Sequence, residues 1–314
     1  MAPPESPPSF VTINSQSSNH RIPVYQWLAE KNPKAVIHIS HGMAEHGPRY
    51  QELAEQLTMR GFHVYAHDHR GHGATIIKGQ TSNQGHFGNH DGWNNVVQDL
   101  KLVVDHILAQ HPSLPCFLLG HSMGSYILQS YLSRHNPKIS GVILSGSNFV
   151  AKPLLLLGRL VAKLETLRQG IMGYSPVIHQ LTFAGYNSSF KPNMTEFDWL
   201  SRNPESVKQY VRDPLCGFRC SNQLWYDLFG GLQEICSKNT LKKIKHQLPI
   251  LIMGGDRDPV SAPDGLKDLQ KALINSGHSN TTLMLYPDAR HELFHETNNK
   301  EVIDQLCVWL NRHI

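Results

Sequence analysis

The stretch from Cys116 to Leu128, Cys-Phe-Leu-Leu-Gly-His-Ser-Met-Gly-Ser-Tyr-Ile-Leu, constrains the fold of this 314-residue chain more than any other. Apolar strand-forming residues run up to Gly120, Ser122 sits between two glycines, and Tyr126, Ile127, Leu128, Tyr131 and Leu132 continue with helical spacing. A serine on such a strand-to-helix bend projects its hydroxyl above the sheet, and small residues two positions away on each side let the backbone pass closely. Gly-x-Ser-x-Gly is a short pattern, and a glycine-rich loop carrying a solvated serine also produces it. The strand before it and the helix after it favour the bend.

The rest of the chain repeats a strand, loop and helix rhythm. Residues 10–13 and 22–27 read as two strands of a leading hairpin, joined by a polar turn over 14–21. A short apolar strand over 35–40 ends at His41-Gly42, an amphipathic helix over 50–60 is closed by Gly61, and 62–66 is the next strand. Asp68 to Gly73 reads as a glycine turn that opens a polar loop reaching Asn94. The helix over 93–110 carries Val96, Val97, Leu100, Val103, Val104 and Ile107 on one face, and Pro112 and Pro115 stop it. A further strand covers 139–145. The rhythm then breaks until about Gln247 and resumes with a strand over 249–254, a helix over 263–276, a strand over 281–286 and a helix over 300–312. Such alternation predicts an α/β fold, a mainly parallel sheet flanked by helices, with an inserted helical cap. The expected division is one discontinuous core domain over 10–147 and 248–314, a cap over 148–247 and a disordered start over 1–9.

Composition excludes several classes. Basic residues exceed acidic ones by only four and are scattered, which leaves no nucleic-acid footprint. Five cysteines without a regular framework suggest free thiols in a reducing compartment, and Cys216 and Cys220 lack the second pair of a zinc set. Residues 1–9 do not resemble a signal peptide, and no apolar run reaches membrane-spanning length. The expectation is therefore a cytoplasmic protein whose membrane contact, where it has one, is peripheral and made through the cap. No phosphate-binding glycine pattern follows the first strand, which argues against redox or kinase chemistry, so no cofactor is expected. His67, Asp68, His69 and His72 lack the spacing of common metal sites, and a glycine turn accounts for them without an ion.

A serine hydroxyl is a weak nucleophile at neutral pH and needs a histidine within hydrogen-bond reach, itself held by a carboxylate. In a sheet of this kind those partners follow later strands in the order Ser, Asp, His. Gly254-Gly255-Asp256-Arg257-Asp258-Pro259 follows one such strand, and Pro287-Asp288-Ala289-Arg290-His291-Glu292 follows the next. Asp258 lies further out on its loop and is preferred over Asp256, which suits a turn. Among 20 histidines, His291 is selected by its place after the last strand, ahead of His295. Two donors must also face the developing oxyanion: the backbone N–H of Met123, directly after the serine, and that of Met43, on the loop opened by His41-Gly42.

Together, His41-Gly42-Met43-Ala44-Glu45-His46 with Arg49-Tyr50, Ala66-His67-Asp68-His69-Arg70-Gly71-His72-Gly73, Gly120-His121-Ser122-Met123-Gly124 and Arg290-His291-Glu292 resemble the α/β-hydrolase family, in its monoacylglycerol lipase and lysophospholipase branch. The resemblance covers about residue 10 to residue 314. It implies Ser122 as nucleophile, Asp258 and His291 as the rest of the triad, and Met43 and Met123 as the oxyanion hole. It also implies that Glu45, Arg49 and His121 line the polar end of the pocket, where related lipases hold a glycerol head group. The cap is longer than in the animal lipases and is closer to bacterial members through Asp198-Trp199-Leu200-Ser201-Arg202 and Asp213-Pro214-Leu215-Cys216-Gly217-Phe218.

The expected activity is cleavage of the ester of a single-chain lipid, a monoacylglycerol or a lysophospholipid, through an acyl-enzyme. A general carboxylesterase or a peptidase of the same fold is the alternative, and a non-catalytic small-molecule binder is the reading from a different class. The leucines between Leu154 and Leu167, interleaved with Arg159, Lys163 and Arg168, read as a cap helix that lines an acyl tunnel, docks on lipid or packs on the sheet domain.

Overall fold

The computed structural model describes residues 9–15, 20–76 and 84–314. The expected disordered start lies outside these residues apart from Ser9, as do parts of the hairpin turn and of the polar loop before Asn94. The strands are β1 (Ser9–Asn14), β2 (Arg21–Trp27), β3 (Ala35–Ser40), β4 (Phe62–His67), β5 (Cys116–His121), β6 (Gly141–Ser145), β7 (Ile250–Gly255) and β8 (Thr281–Tyr286). They form a single sheet in the order β1-β2-β4-β3-β5-β6-β7-β8. The leading hairpin pairs antiparallel and joins β4 antiparallel, whereas every pairing from β4 to β8 is parallel.

The parallel strands are buried on both faces, so they read as continuous apolar runs, yet their side chains still alternate between two cores. Val36, Leu118, Val142, Leu144, Ile250 and Ile252 pack on one side. Ile37, Ile39, Phe117, Leu119, Ile143, Leu251 and Met253 pack on the other. Helices α1 (Gln51–Thr58), α2 (Gly92–Gln110) and α3 (Met123–His135) cross between the early strands. The first of these begins later than its pattern predicts, because residues 47–50 form a 3₁₀ turn in which Pro48 sits at the start.

No strand interrupts residues 148–247, which fold as α4 (Lys152–Gln169), α5 (Pro176–Leu181), α6 (Phe183–Asn187), α7 (Pro204–Arg212), α8 (Asn222–Ile235) and α9 (Lys238–Leu241). Leu224, Leu228, Leu232 and Ile235 of α8 share one apolar cluster with Val96 and Leu100 of α2. This helix is therefore seated on the sheet-flanking helices. After it come α10 (Gly265–Ile274) and α11 (Asn299–Asn311). The five cysteines are free thiols. Among the described residues no helix is long and apolar enough to cross a membrane.

Register sets the place where chemistry can occur. Ser40 pairs with Gly120, His121 with Ser145, and Gly255 with Tyr286, so the loops after β3, β5, β7 and β8 leave the sheet along one edge. In open parallel sheets that carboxyl edge is where ligands bind.

Candidate active site

Ser122 leaves β5 with φ 49° and ψ −120°, a conformation that a residue with a side chain adopts at a cost of order 1–3 kcal/mol. Its neighbours hold it there. The Ser122 N–H donates to Ser145 O at 2.9 Å, and the Ser122 carbonyl accepts from Ser125 N and Oγ at 2.9 and 2.6 Å. Both glycines of the motif are required by contact. A Cβ on Gly120 would lie 2.7 Å from Gly124 O, and one on Gly124 would lie 2.1 Å from Ser40 O.

Asp258 and His291 meet at the same edge. His291 Nδ1 and Asp258 Oδ2 are 2.9 Å apart, and both side chains are almost fully buried. Asp258 Oδ1 accepts the Val260 N–H at 2.9 Å, which fixes the carboxylate from its own loop. Burial is the largest influence on His291 and lowers its pKa, but the charge and hydrogen bond of Asp258, with Glu292 and Glu45 behind them, leave it raised. The competing Asp256 is exposed and accepts the Asp288 N–H at 2.7 Å, as a turn residue does. His295 turns away and pairs with the Arg49 carbonyl at 3.1 Å.

Ser122 and His291 both border His121, which precedes the serine and rests against the imidazole. A Cβ on Gly146 would lie 3.0 Å from His291 Cε1 and 3.1 Å from His121 Cε1, and one on Gly42 would lie 3.3 Å from Ser122 Cβ. No hydrogen bond joins Ser122 Oγ to His291 among the described residues; such bonds in ligand-free hydrolases are often long and tighten when substrate binds.

The loop after β3 lies directly over the serine. The His69 N–H donates to His41 Nε2 at 3.0 Å, so the His41 proton resides on Nδ1, which donates to Gly42 O at 2.7 Å. Carbonyl and N–H of a trans peptide point in opposite directions, so this bond turns the Met43 N–H away from His41. Met123, at the first position of α3, has no carbonyl four residues back within its helix, which leaves its N–H open at the helix N-terminus. Asp68 ties down the loop after β4 by accepting from Gly47 N, Ala74 N and Tyr25 Oη at 2.8, 2.7 and 2.8 Å.

Glu45 and Arg49 are buried in an ion cluster with a residue that the sequence left without a role, Glu292. Arg49 bonds Glu45 Oε2 at 2.6 Å and both oxygens of Glu292 at 2.6 and 2.8 Å. Its guanidinium also lies 4.8 Å from the Tyr210 ring centroid. His121 rests against His291 at 4.6 Å between centroids, and its Nδ1 is buried without a partner among the described residues. Burial, then the nearby His291, lower its pKa to about 3, so it is neutral.

The two stretches expected to belong to a cap, 198–202 and 213–218, together with Tyr210, bond to the loops that carry His291 and Ala44. The Glu292 N–H donates to Leu200 O at 2.8 Å, Arg202 Nε to Glu296 Oε2 at 2.9 Å, and Ser201 Oγ to His295 O at 2.9 Å. On the other side, Gly217 N and Tyr210 Oη donate to Ala44 O at 3.0 and 2.9 Å, and His46 pairs with Asp213 at 2.8 Å. Next to His291, the Trp199 ring lies at 5.2 Å and is itself stacked on Phe183, so aromatic side chains flank the imidazole.

His46, Asp213 and Cys216 place one potential metal-ligand atom each within 4.8 Å of one another. Burial pushes the Cys216 thiol far up, away from the thiolate a metal needs, and Arg49 stands nearby as a competing cation. The set suits the His46–Asp213 pair better than an ion. A cavity of about 620 Å³ lies elsewhere, lined by Phe10, Tyr25, Arg70 and Phe87 among others, and contains none of the expected catalytic residues.

Comparison with known proteins matches the family described as serine aminopeptidase, S33, over residues 31–298. A monoacylglycerol lipase from Mycolicibacterium smegmatis is 27% identical over 292 residues, covering 92% of this chain and 92% of that protein. A monoglyceride lipase homolog from Monkeypox virus is 31% identical over 290 residues, covering 90% of this chain and 92% of its own length. Among solved structures, a highly thermostable carboxyl esterase from Bacillus coagulans in complex with glycerol has a TM-score of 0.88 at 25% identity, covering 97% of this chain and 98% of that one.

Proposed function

Since the chain belongs to the serine aminopeptidase S33 family of α/β-hydrolases, we propose that it hydrolyses the ester of a lipid with one acyl chain, a monoacylglycerol first of all. The observation that carries this reading is the buried Asp258–His291 pair at the sheet edge that also holds the strained Ser122 bend. In this reading Ser122 Oγ attacks the ester carbonyl while His291 Nε2 takes its proton. The tetrahedral oxyanion is met by the N–H groups of Met43 and Met123. His291 then protonates the departing alcohol, and water, activated by the same imidazole, releases the acid from Ser122. Asp258 keeps the imidazole proton on Nδ1 and stabilises the imidazolium.

Residues 148–247 serve in this reading as the cap that selects the acyl chain. The aromatic rings of Trp199 and Phe183 beside His291 support an apolar chain there. Of the residues expected at the polar end, His121 keeps a buried ring nitrogen without a partner among the described residues, whereas Glu45 and Arg49 already bond each other.

Helix α4 supports peripheral contact with a lipid surface. It buries Leu155 and Ala162 but exposes Leu154, Leu157, Leu160, Leu164 and Leu167 as a stripe, from 52% to 76%, with Lys152, Lys163 and Arg168 on the same helix. The test of the function is ester profiling of the purified protein against its Ser122→Ala variant, across monoacylglycerols, lysophospholipids, short aryl esters and aminoacyl anilides. Monoacylglycerol turnover that vanishes in Ser122→Ala is expected. Equal turnover by the variant, or anilides as the best substrates, would overturn the reading.

A further inference from the structure

Glu292 follows His291 in sequence and is only 5% exposed, yet nothing in the reaction above uses it. Its two oxygens accept from Arg49 Nη1 and Nη2 at 2.6 and 2.8 Å. Arg49 Nη1 also donates to Glu45 Oε2 at 2.6 Å. Glu45 Oε1 in turn accepts the Gly42 N–H at 2.5 Å and the Tyr50 hydroxyl at 3.0 Å. A continuous chain of charged hydrogen bonds thus runs from the residue beside the base to the peptide N–H beside the nucleophile.

Gly42 is held at both of its peptide groups, by Glu45 at the N–H and by His41 Nδ1–H at the carbonyl. His41 Nδ1–H holds the Gly42–Met43 peptide through its carbonyl, and Glu45 holds the preceding His41–Gly42 peptide through its N–H, so the two planes that flank the Gly42 Cα are both anchored and the direction of the Met43 N–H is constrained with them. Space is equally constrained: a Cβ on Gly42 would lie 2.7 Å from Glu45 Oε1. The Tyr210 ring of the cap covers the guanidinium, so the cluster operates away from water, where charged hydrogen bonds are strong and directional. A buried ion cluster is a weak source of stability compared with apolar side chains of the same volume, but it fixes geometry well.

We propose that Glu292 is a positioning residue: acting through Arg49 and Glu45, it keeps the Met43 N–H of the oxyanion loop in register with His291. The inference rests on the roles assigned to Ser122, His291 and Met43 above. Two loops separated by most of the chain, 243 residues between Arg49 and Glu292, are joined by this carboxylate, and the His295 ring on the Arg49 carbonyl adds a second link between them.

The test uses the full chain, a short aryl ester, its thiono analogue with sulfur in place of the carbonyl oxygen, and a monoacylglycerol. A well-placed oxyanion donor favours oxygen over the larger, weakly accepting sulfur, so the oxo-to-thiono ratio of kcat/KM reads donor placement. Glu292→Gln leaves Arg49 paired with Glu45 and so avoids an orphaned buried charge. It is expected to lower kcat on the oxo ester ~10–100-fold, less than the ~100–1000-fold that follows outright loss of one oxyanion donor because the N–H is misdirected rather than removed, with KM changed less than about threefold. The oxo-to-thiono ratio falls with it. Glu292→Asp, which retains the charge, recovers part of both.

Loss of melting temperature with kcat and the ratio unchanged would overturn the proposal, as would a rise in KM confined to the monoacylglycerol, which is the signature of a head-group contact. Should Glu292→Gln fail to fold, Tyr50→Phe strips one donor from Glu45 without exposing a charge, and an unchanged ratio in that variant overturns the proposal equally. A wild-type protein without Ser122-dependent esterase activity refutes the functional reading itself, so the two failures are told apart.

Discussion

Replacing Asp258 with asparagine separates the two aspartates of the β7 loop and tests the tautomer argument directly. Asp258 Oδ2 accepts from His291 Nδ1 at 2.9 Å, while Oδ1 is committed to the Val260 N–H. An asparagine that keeps the Val260 bond through its oxygen turns its NH₂ toward Nδ1. The imidazole then carries its proton on Nε2, where it cannot accept one from Ser122. In a serine protease triad the same change costs ~10⁴ in kcat, about 5 kcal/mol of transition-state stabilisation, and a similar loss is expected here. The pH profile carries a second signature. Burial, the largest influence on His291, lowers its pKa, and the Asp258 charge is what reverses that. Without the charge, the acid limb of the residual kcat/KM profile moves to lower pH. Asp256→Asn should stay within about threefold of wild type, since its oxygen still accepts the exposed Asp288 N–H. Steady-state hydrolysis of an aryl ester from pH 4.5 to 9, with melting curves to verify folding, decides the matter. An Asp258→Asn protein retaining more than a tenth of wild-type kcat, or an equal loss in Asp256→Asn, would refute the assignment.

Gly124→Ala places a methyl 2.1 Å from the Ser40 carbonyl, backbone that cannot swing aside, so a destabilisation of about 1–3 kcal/mol and a fall in fluorophosphonate labelling of Ser122 are expected; wild-type labelling would contradict the contact argument. Acid should destabilise the protein through its buried histidines. Burial, opposed weakly by neighbours, lowers His67 and His72 to about 4, against an ordinary 6.5, so the unfolded chain binds more protons than the folded one between those values. Stability is retained above pH 6.5 and lost as pH falls toward 4, by up to ~3 kcal/mol per histidine, and urea midpoints in His72→Asn should fall less steeply than in wild type. Equal slopes would count against it. On α4, Leu157→Ser with Leu164→Ser should reduce sedimentation with anionic vesicles at least ~10-fold while leaving hydrolysis of a soluble aryl ester unchanged; undiminished sedimentation would exclude the leucine stripe as the lipid contact.

The sheet and the candidate triad were legible because both depend on local pattern. Apolar runs with turn residues at their ends locate β3 to β8, and strand ends are where catalytic loops must leave a parallel sheet. The Glu292 cluster was not legible in the same way. Glu45 and Arg49 stand four apart, a spacing that usually signals a solvated helix pair, and only the fold brings Glu292 to the same guanidinium. The leucines of α4 illustrate a different obstacle. With Leu155 and Ala162 turned inward and Leu154, Leu157 and Leu160 outward, the helix is apolar on two faces, and periodicity alone cannot tell which one the protein buries. The docking of residues 198–202 and 213–217 onto the loops after β8 and β3 follows from pairings between distant segments, which carry no period at all.

The charges around Ser122 explain why backbone placement should matter so much here. Glu45 and Glu292 surround one guanidinium, and Asp258 adds a third carboxylate beside His291, so the buried surroundings of the base are net negative. That balance favours the imidazolium which forms when His291 takes the serine proton. The same field opposes negative charge on the carbonyl oxygen of the substrate. The Arg49 guanidinium is already bonded to both carboxylates and covered by the Tyr210 ring, so it is poorly available to offset that opposition. In the proposed reaction, stabilisation of the oxyanion then falls to short-range, oriented dipoles, the N–H groups we assign to Met43 and Met123, whose effect falls off steeply with misalignment. A site that obtains a strong base from nearby carboxylates has to hold its oxyanion donors rigidly, and one of the carboxylates that raise His291, Glu45, also accepts the Gly42 N–H.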